Sequence, residues 1–496
     1  MDSFKISRFD TDVTNYKITL QYNIGLVKIY ITDDGHYIAQ EPKLSVDAEK
    51  IWSELMVSIH DSLPHDISSH TEIIPMLKKA LEEESRKSNN FEKWVKEKEA
   101  IEYYLTRDLV GYSEIDVLIR DKNIEDILGV RWDKPITIVH NKFHKFILLK
   151  TNIIFNSEKQ MSKLIQRISQ KYSEPPTEIS PITSFTNENN VRFSFTDFKT
   201  ITPDGPTLSI RKPSINSITI YHLLKDGILT TLSAAYLWVM MDLKGFGIII
   251  GAPSAGKTTL INAIFTMSNP NWHYFTIEDA LELKLMQENV SRHQTDSNSS
   301  IQGEGKRNSS HGIFDLCRLS LRFRPDFVVV GEVLGQEAEG LFQVAAMGSG
   351  CVSSFHASDP EDALTRLESP PINISKTQTS LITYILHISW ITRGNTRQRR
   401  ILKITEPTQI PNDPNLQKKL KNVFKYKPEL DKLIPDTVEE LIRKSEKLKP
   451  AQIKLGIADM GKDLKTRMSI LQKILDEDIS DPEKISKEIF KYYEIK

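Results

Sequence analysis

Eight consecutive residues carry the most specific chemistry in this chain: Gly251, Ala252, Pro253, Ser254, Ala255, Gly256, Lys257 and Thr258 fit the pattern G-x-x-x-x-G-K-[ST]. A loop of this kind cradles phosphates with backbone N–H groups, provided a strand leads into it and a helix leads out. Both are predicted here. Phe246-Gly247-Ile248-Ile249-Ile250 reads as a buried parallel strand, and Leu260, Ile261, Ile264 and Phe265 recur at helical spacing until Asn269-Pro270. In that setting Lys257 reaches the β- and γ-phosphates of ATP, the Thr258 hydroxyl holds Mg²⁺, and Thr259 completes the nucleotide-binding run. Three later stretches are short apolar strands that end in polar residues. They are Tyr274 to Asp279, Arg324 to Glu332 and Cys351 to His356. Ligands of open parallel sheets sit outside the carboxyl ends of the strands, so Glu278, Asp279, Glu332 and His356 are expected to face the γ-phosphate. Phosphoryl transfer to water needs a metal, a positioned nucleophile and cations. Glu332 is the expected Walker B carboxylate and metal group, Asp279 belongs to a second acidic site, and His356 contacts the γ-phosphate. Glu278 and Glu332 both fit activation of the water.

The elements around these residues set the domain plan. With 496 residues the chain accommodates two or three domains. Its formal net charge of -1, with 26% charged residues, speaks against a general polyanion binder. No stretch interleaves aromatic and basic residues as a strand-stacking surface would, so no nucleic-acid partner is expected. Two cysteines, Cys317 and Cys351, build neither a disulfide framework nor a Cys₄ zinc module. The most apolar window, Leu232 to Ile250, is interrupted by Asp242 and Lys244 and reads as a buried helix followed by the loop's strand. The expected localisation is cytoplasmic, with any membrane association through partners.

The expected organisation is a variable module over 1–75 with short alternating runs, a mixed α+β N-terminal domain over 76–211, and a linker at 212–216. A P-loop α/β ATPase domain over 217–407 and a helical C-terminal extension over 408–496 complete it. Within the N-terminal domain, Ile115 to Ile119 and Ile136 to His140 read as strands and Glu158 to Lys171 as a helix. Residues 297–312, rich in serine and glycine, read as a mobile loop.

The ordered set resembles the secretion ATPase superfamily of type II secretion, type IV pilus assembly and the archaellum, and is closest in wording to its archaeal branch. Glu278-Asp279 resembles the Asp box, Arg324 to Glu332 the Walker B and Gly348 to Ala357 the His box. Tyr103-Tyr104-Leu105, Gly111-Tyr112, Ile124 to Ile127 and Ser209 to Lys212 resemble the family's N-terminal domain. Two positions depart: Ser349 follows Gly348 where the His box opens with Gly-His, and Leu334 stands where the family often has Arg. The resemblance implies a homo-hexameric ATP hydrolase using ATP and Mg²⁺, with a RecA-like α/β fold for the ATPase domain and with Arg192 and Arg211 of the N-terminal domain closing over the phosphates. It also implies a polytopic membrane platform protein as direct partner and pilin-like subunits as indirect ones. A type IV pilus-like machine is the leading expectation. The archaellum motor, type II secretion, a DNA-transport ATPase and a nucleotide-gated scaffold are the alternatives.

Overall fold

The computed structural model describes residues 11–62, 91–143, 146–213, 218–295, 312–393, 396–409 and 418–495. Two compact units divide at Ile215/Asn216. The expected linker lies outside the described residues beyond Pro213, as does the 297–312 segment up to Gly312.

In the first unit β1 (Ile18–Ile24), β2 (Val27–Thr32) and β3 (His36–Gln40) precede α1 (Val46–Ser62), α2 (Phe91–Leu105) and the short α3 (Asp116–Arg120). Strands β4 (Ile124–Gly129), β5 (Thr137–His140) and β6 (Leu149–Thr151) follow. Next come α4 (Glu158–Gln170), β7 (Ile182–Thr186), β8 (Arg192–Thr196) and β9 (Thr207–Arg211). The strands form one sheet in the order β1-β2-β3-β6-β5-β4-β9-β8-β7. Two expectations change here. The first strands are not a separate module, because β3 pairs with β6 in parallel and Val27, Ile29 and Ile31 share a core with Ile127 and Ile138. Ile115 to Ile119 is helical rather than extended. The Asp116 carboxylate accepts the Tyr112 N–H at 3.0 Å, tying the chain into a turn that local alternation did not reveal.

The second unit opens with α5 (Ile220–Lys225) and α6 (Thr231–Asp242), then β10 (Phe246–Ile250) and α7 (Lys257–Phe265) around the glycine loop. It continues through β11 (Tyr274–Glu278), β12 (Val290–Gln294), α8 (Ile313–Phe323), β13 (Phe327–Val333), α9 (Ala338–Ala346) and β14 (Gly350–Phe355). Two helices, α10 (Pro360–Glu368) and α11 (Lys376–Thr379), lead to β15 (Ile382–Arg393), β16 (Thr396–Gln409), β17 (Lys418–Lys427) and β18 (Lys432–Ile434). The chain ends with α12 (Val438–Lys444), α13 (Leu448–Lys454), α14 (Met460–Asp476) and α15 (Pro482–Ile495). The sheet runs β12-β11-β13-β14-β10-β15-β16-β17-β18, parallel through β15 and antiparallel beyond. Helices cover both faces of the parallel part, which is why its strands are continuously apolar. Ile249 packs into one core with α6 and α7, while Phe246, Ile248 and Ile250 pack into the other with α9. This is the RecA-like α/β arrangement.

The expected boundary at 407/408 is corrected by the sheet. β16 runs to Gln409, and β17 and β18 extend it, so helices begin only at Val438. The cause is visible in β17. Lys419, Lys421, Lys425 and Lys427 alternate with Leu420, Asn422, Phe424 and Tyr426, and Val423 is the extra residue of a bulge opposite Ile404/Thr405. The lysine content of a charged helix is here the outer face of an edge-side ribbon.

Candidate nucleotide site

The loop's shape follows from its residue types. Ser254 and Gly256 take left-handed φ values of 57° and 96°, and Gly256 is the N-cap of α7. Gly251 has no room for a side chain, because a Cβ there would sit 2.3 Å from the Ile388 carbonyl oxygen. Lys257 is the first residue of α7 and only 7% exposed. Its ammonium donates to the carbonyl oxygens of Gly251 and Ala252 at 3.2 and 3.3 Å. Thr258 and Thr259 follow on the first turn, both half-buried. Loop N–H groups and the positive end of a nine-residue helix thus converge on one place.

Glu332 reaches the same place because β13 is bulged. Val330 pairs with Ser353 and Glu332 with Ser354, which leaves Gly331 as the extra residue. A bulge re-aims the side chain that follows it, and the Ser354 hydroxyl fixes it by donating to the Gly331 carbonyl at 2.7 Å. The Glu332 carboxylate lies 2.6 Å from His356 Nε2 and 4.0 Å from the Lys257 ammonium. Lys257 Nζ is also 3.2 Å from His356 Nδ1. An ammonium only donates, so Nδ1 accepts and the ring proton sits on Nε2, where it is given to Glu332. Lys257, His356 and Glu332 form one directed hydrogen-bond chain.

The other predicted residues sit differently. Glu278 ends β11, beside Gly331, where a Cβ would meet the Glu278 side chain at 3.3 Å. Its Oε1 accepts the N–H groups of Glu282 and Leu283 at 2.9 and 2.7 Å. Its Oε2 is buried without a partner among the described residues. Burial pushes its carboxyl up to about 7, against those two N–H donors. Asp279 is not brought into the Lys257–His356–Glu332 group; its exposed carboxylate accepts the Thr295 hydroxyl at 2.6 Å. Arg192 and Arg211 belong to the first unit, where they are cross-strand partners on β8 and β9 and both exposed. Ser349, the departure in the His box, donates to the Pro325 carbonyl at 2.9 Å and so ties the start of β14 to the segment before β13.

A further contact to the glycine loop comes from a strand that the sequence does not mark as part of the site. β15 continues past the end of β10, and its Trp390 donates from Nε1 to the Ser254 carbonyl of the glycine loop at 3.2 Å. Arg399 and Arg397 stack on that indole, 4.4 and 5.0 Å from its centroid. The signal was present as Trp390 and four arginines flanking Gly394-Asn395 between two strand-like runs.

The donor set fits a Mg-nucleotide. Loop N–H groups, the near-buried Lys257 and the left-handed Gly256 suit a polyphosphate, and the Thr258 hydroxyl with the Glu332 carboxylate suits a hard cation. Residues 176–408 match the family model described as type II/IV secretion system protein. The chain is 28% identical to the uncharacterized protein MJ0900 of Methanocaldococcus jannaschii over 405 residues, 81% of this chain and 69% of that one. It is 34% identical to MJ1287, uncharacterized and from the same organism, over 211 residues, 42% of this chain and 75% of that one. Among solved structures it is similar to the pilus retraction motor PilT with bound ADP, at 17% identity and a TM-score of 0.38, over 70% of this chain and 90% of that one.

Proposed function

We infer that this chain, which belongs to the type II/IV secretion system protein family, binds Mg-ATP at Gly251–Thr259 and hydrolyses it. The observation that carries the reading is the chain Lys257–His356–Glu332 at the carboxyl edge of the sheet, beside the loop and the α7 N-terminus. Thr258 and Glu332 would hold Mg²⁺, which when bound screens the charge on the β- and γ-phosphates. Lys257 takes the phosphate charge that the loop N–H groups share. The Glu332 carboxylate orients the attacking water. His356, bonded to both, keeps that carboxylate and the ammonium in register. Glu278, behind Gly331, positions the end of β13 through the shape it fills.

The wider reading follows the family. The chain works as a homo-hexamer, with Arg192 and Arg211 of the first unit supplying cations to the phosphates. It drives a polytopic membrane platform protein that assembles pilin-like subunits into a type IV pilus-like filament. No described helix is long and apolar enough to cross a membrane, so attachment to that platform is through protein contacts in this reading.

The deciding experiment is steady-state ATP hydrolysis by the full chain with Mg²⁺, with and without single-stranded DNA, beside Glu332→Gln. DNA-independent turnover that falls at least tenfold in the variant, about 1.4 kcal/mol of barrier, is expected. Strong stimulation by DNA would replace the filament motor with a DNA-transport ATPase. Nucleotide binding with turnover indifferent to Glu332→Gln would leave a nucleotide-gated scaffold.

A further inference from the structure

The β15–β16 hairpin places a second cation against the glycine loop from within the same chain. Strand β15 pairs with β10 up to His387, opposite Ile250, and then continues to Arg393 alongside the loop. The close approach is built into both partners: the Ile388 carbonyl occupies the space a Gly251 side chain would need. Beyond it, Trp390 and Arg399 are cross-strand partners, and Arg397 is two residues along on the same face of the ribbon. Arg399 Nε lies 3.3 Å from where a Gly256 Cβ would stand. Gly256 is the residue whose left-handed turn starts α7.

The two faces of the hairpin are used differently. On one, Arg400 donates to both oxygens of Asp431 at 2.9 and 3.0 Å, and Arg393 joins the same carboxylate. On the face toward the loop, Arg397 and Arg399 are held by the indole of Trp390, which is itself pinned to the Ser254 carbonyl. Stacking on an aromatic ring fixes the plane and position of a guanidinium, and here that position is beside the Gly256 turn. A nucleoside triphosphate brings several negative charges to the loop, and Lys257 supplies one positive charge.

We propose that Arg399 is a nucleotide-contacting residue acting in cis, its guanidinium pairing with the polyphosphate of a nucleoside di- or triphosphate held in the 251–258 loop, with Trp390 as its positioning residue. This rests on the loop being a nucleotide site, and it adds to Arg192 and Arg211 a cation carried by the same unit as the loop. Trp390 also couples the hairpin to the loop through its bond to the Ser254 carbonyl.

The test is calorimetric titration of the full chain with Mg-ADP, comparing wild type with Arg399→Gln, Arg399→Lys and Lys257→Ala. A charge-assisted hydrogen bond is worth about 1.5–3 kcal/mol. Arg399→Gln should therefore weaken ADP binding by about tenfold or more and flatten the dependence of affinity on salt. Arg399→Lys should recover part of the loss and most of the salt slope, which a merely structural role would not produce. It also serves if the glutamine variant folds poorly. Wild-type affinity and salt slope in Arg399→Gln, or in Arg399→Lys where only that variant folds, would overturn the assignment while leaving the nucleotide site intact. If wild type binds ADP no better than Lys257→Ala, the loop reading itself fails, and this inference with it.

Discussion

Replacing Glu278 with glutamine isolates what it costs to hold an ionised carboxylate under the carboxyl edge of the sheet. Glu278 is 2% exposed, with one oxygen on two backbone N–H groups and the other without a partner among the described residues. Burial raises its carboxyl from the ordinary 4.5 to about 7. In the unfolded chain the proton leaves near 4.5, whereas in the folded chain it stays until about 7. Between those values the folded state binds more protons, so stability falls as pH rises across the window and is level on either side. Each tenfold change in proton affinity is worth about 1.36 kcal/mol. The full span is therefore about 3 kcal/mol, with about 2 kcal/mol lost between pH 5 and 7.5.

Glutamine keeps the acceptor for the N–H groups of Glu282 and Leu283 and has no proton to lose in that range. Its folded state pays a constant cost for the orphaned amide and no pH-dependent one. The assay is calorimetric melting of the full chain at pH 5, 6, 7 and 7.5 for both proteins, following the transition of the second unit. The midpoint of Glu278→Gln relative to wild type should rise with pH by roughly 5 °C, taking about 2–4 °C per kcal/mol for a domain of this size. Parallel pH profiles in the two proteins would refute the reasoning. They would mean that the carboxylate ionises at its unfolded value, through solvent or a partner not identified above.

Two further substitutions test the packing that carries the site. Arg467 is fully buried between Trp238 and Tyr492 and bonds Asp242 at 2.7 Å and Asp463 at 2.8 Å. Arg467→Met leaves the buried Asp242 and the partly buried Asp463 carboxylates without their cation, each keeping a tyrosine hydroxyl donor. It should cost about 3–5 kcal/mol, read as a lowered calorimetric midpoint that adding Asp242→Asn and Asp463→Asn partly restores. Gly247→Ala puts a Cβ 2.3 Å from the Tyr384 ring on the strand that leads into the loop. That overpacking should cost about 1–3 kcal/mol, and Tyr384→Leu in the same chain should recover most of it in the same measurement.

The glycine loop, its strand and its helix were legible because each is specified by neighbours in sequence. The positions of Glu332 and His356 were legible because both end apolar strands and parallel sheets put such ends together. What the sequence concealed was set by pairing between distant segments. The bulge at Gly331 depends on the register of β13 against β14, and a glycine before a glutamate does not announce it. Asp279 was expected to work with its neighbour Glu278, yet alternation sends the two carboxylates apart, one beneath the sheet edge and the other out to Thr295. Trp390 and its arginines meet the loop only because β15 runs on past its partner strand.

The C-terminal helices show how a local reading can hold the right clue in the wrong place. Lysine, glutamate and leucine at helical spacing after residue 408 describe an element that tolerates water, and nothing in that stretch says what it packs against. The answer lies in α6, whose residues from Leu232 to Asp242 are all buried. A helix that is apolar all round needs protein on every side or a membrane. The sheet covers only one side of it, so some other segment must cover the rest. Helices α14 and α15 do so: Trp238 of α6 donates to Tyr493 at 2.8 Å, Tyr493 in turn donates to Asp242 at 2.6 Å, and Arg467 pairs with the same Asp242. The polar residue that interrupts the apolar window, Asp242, is thus the point to which the end of the chain is fastened. Because α6 leads directly into β10, those helices brace the strand that carries the glycine loop.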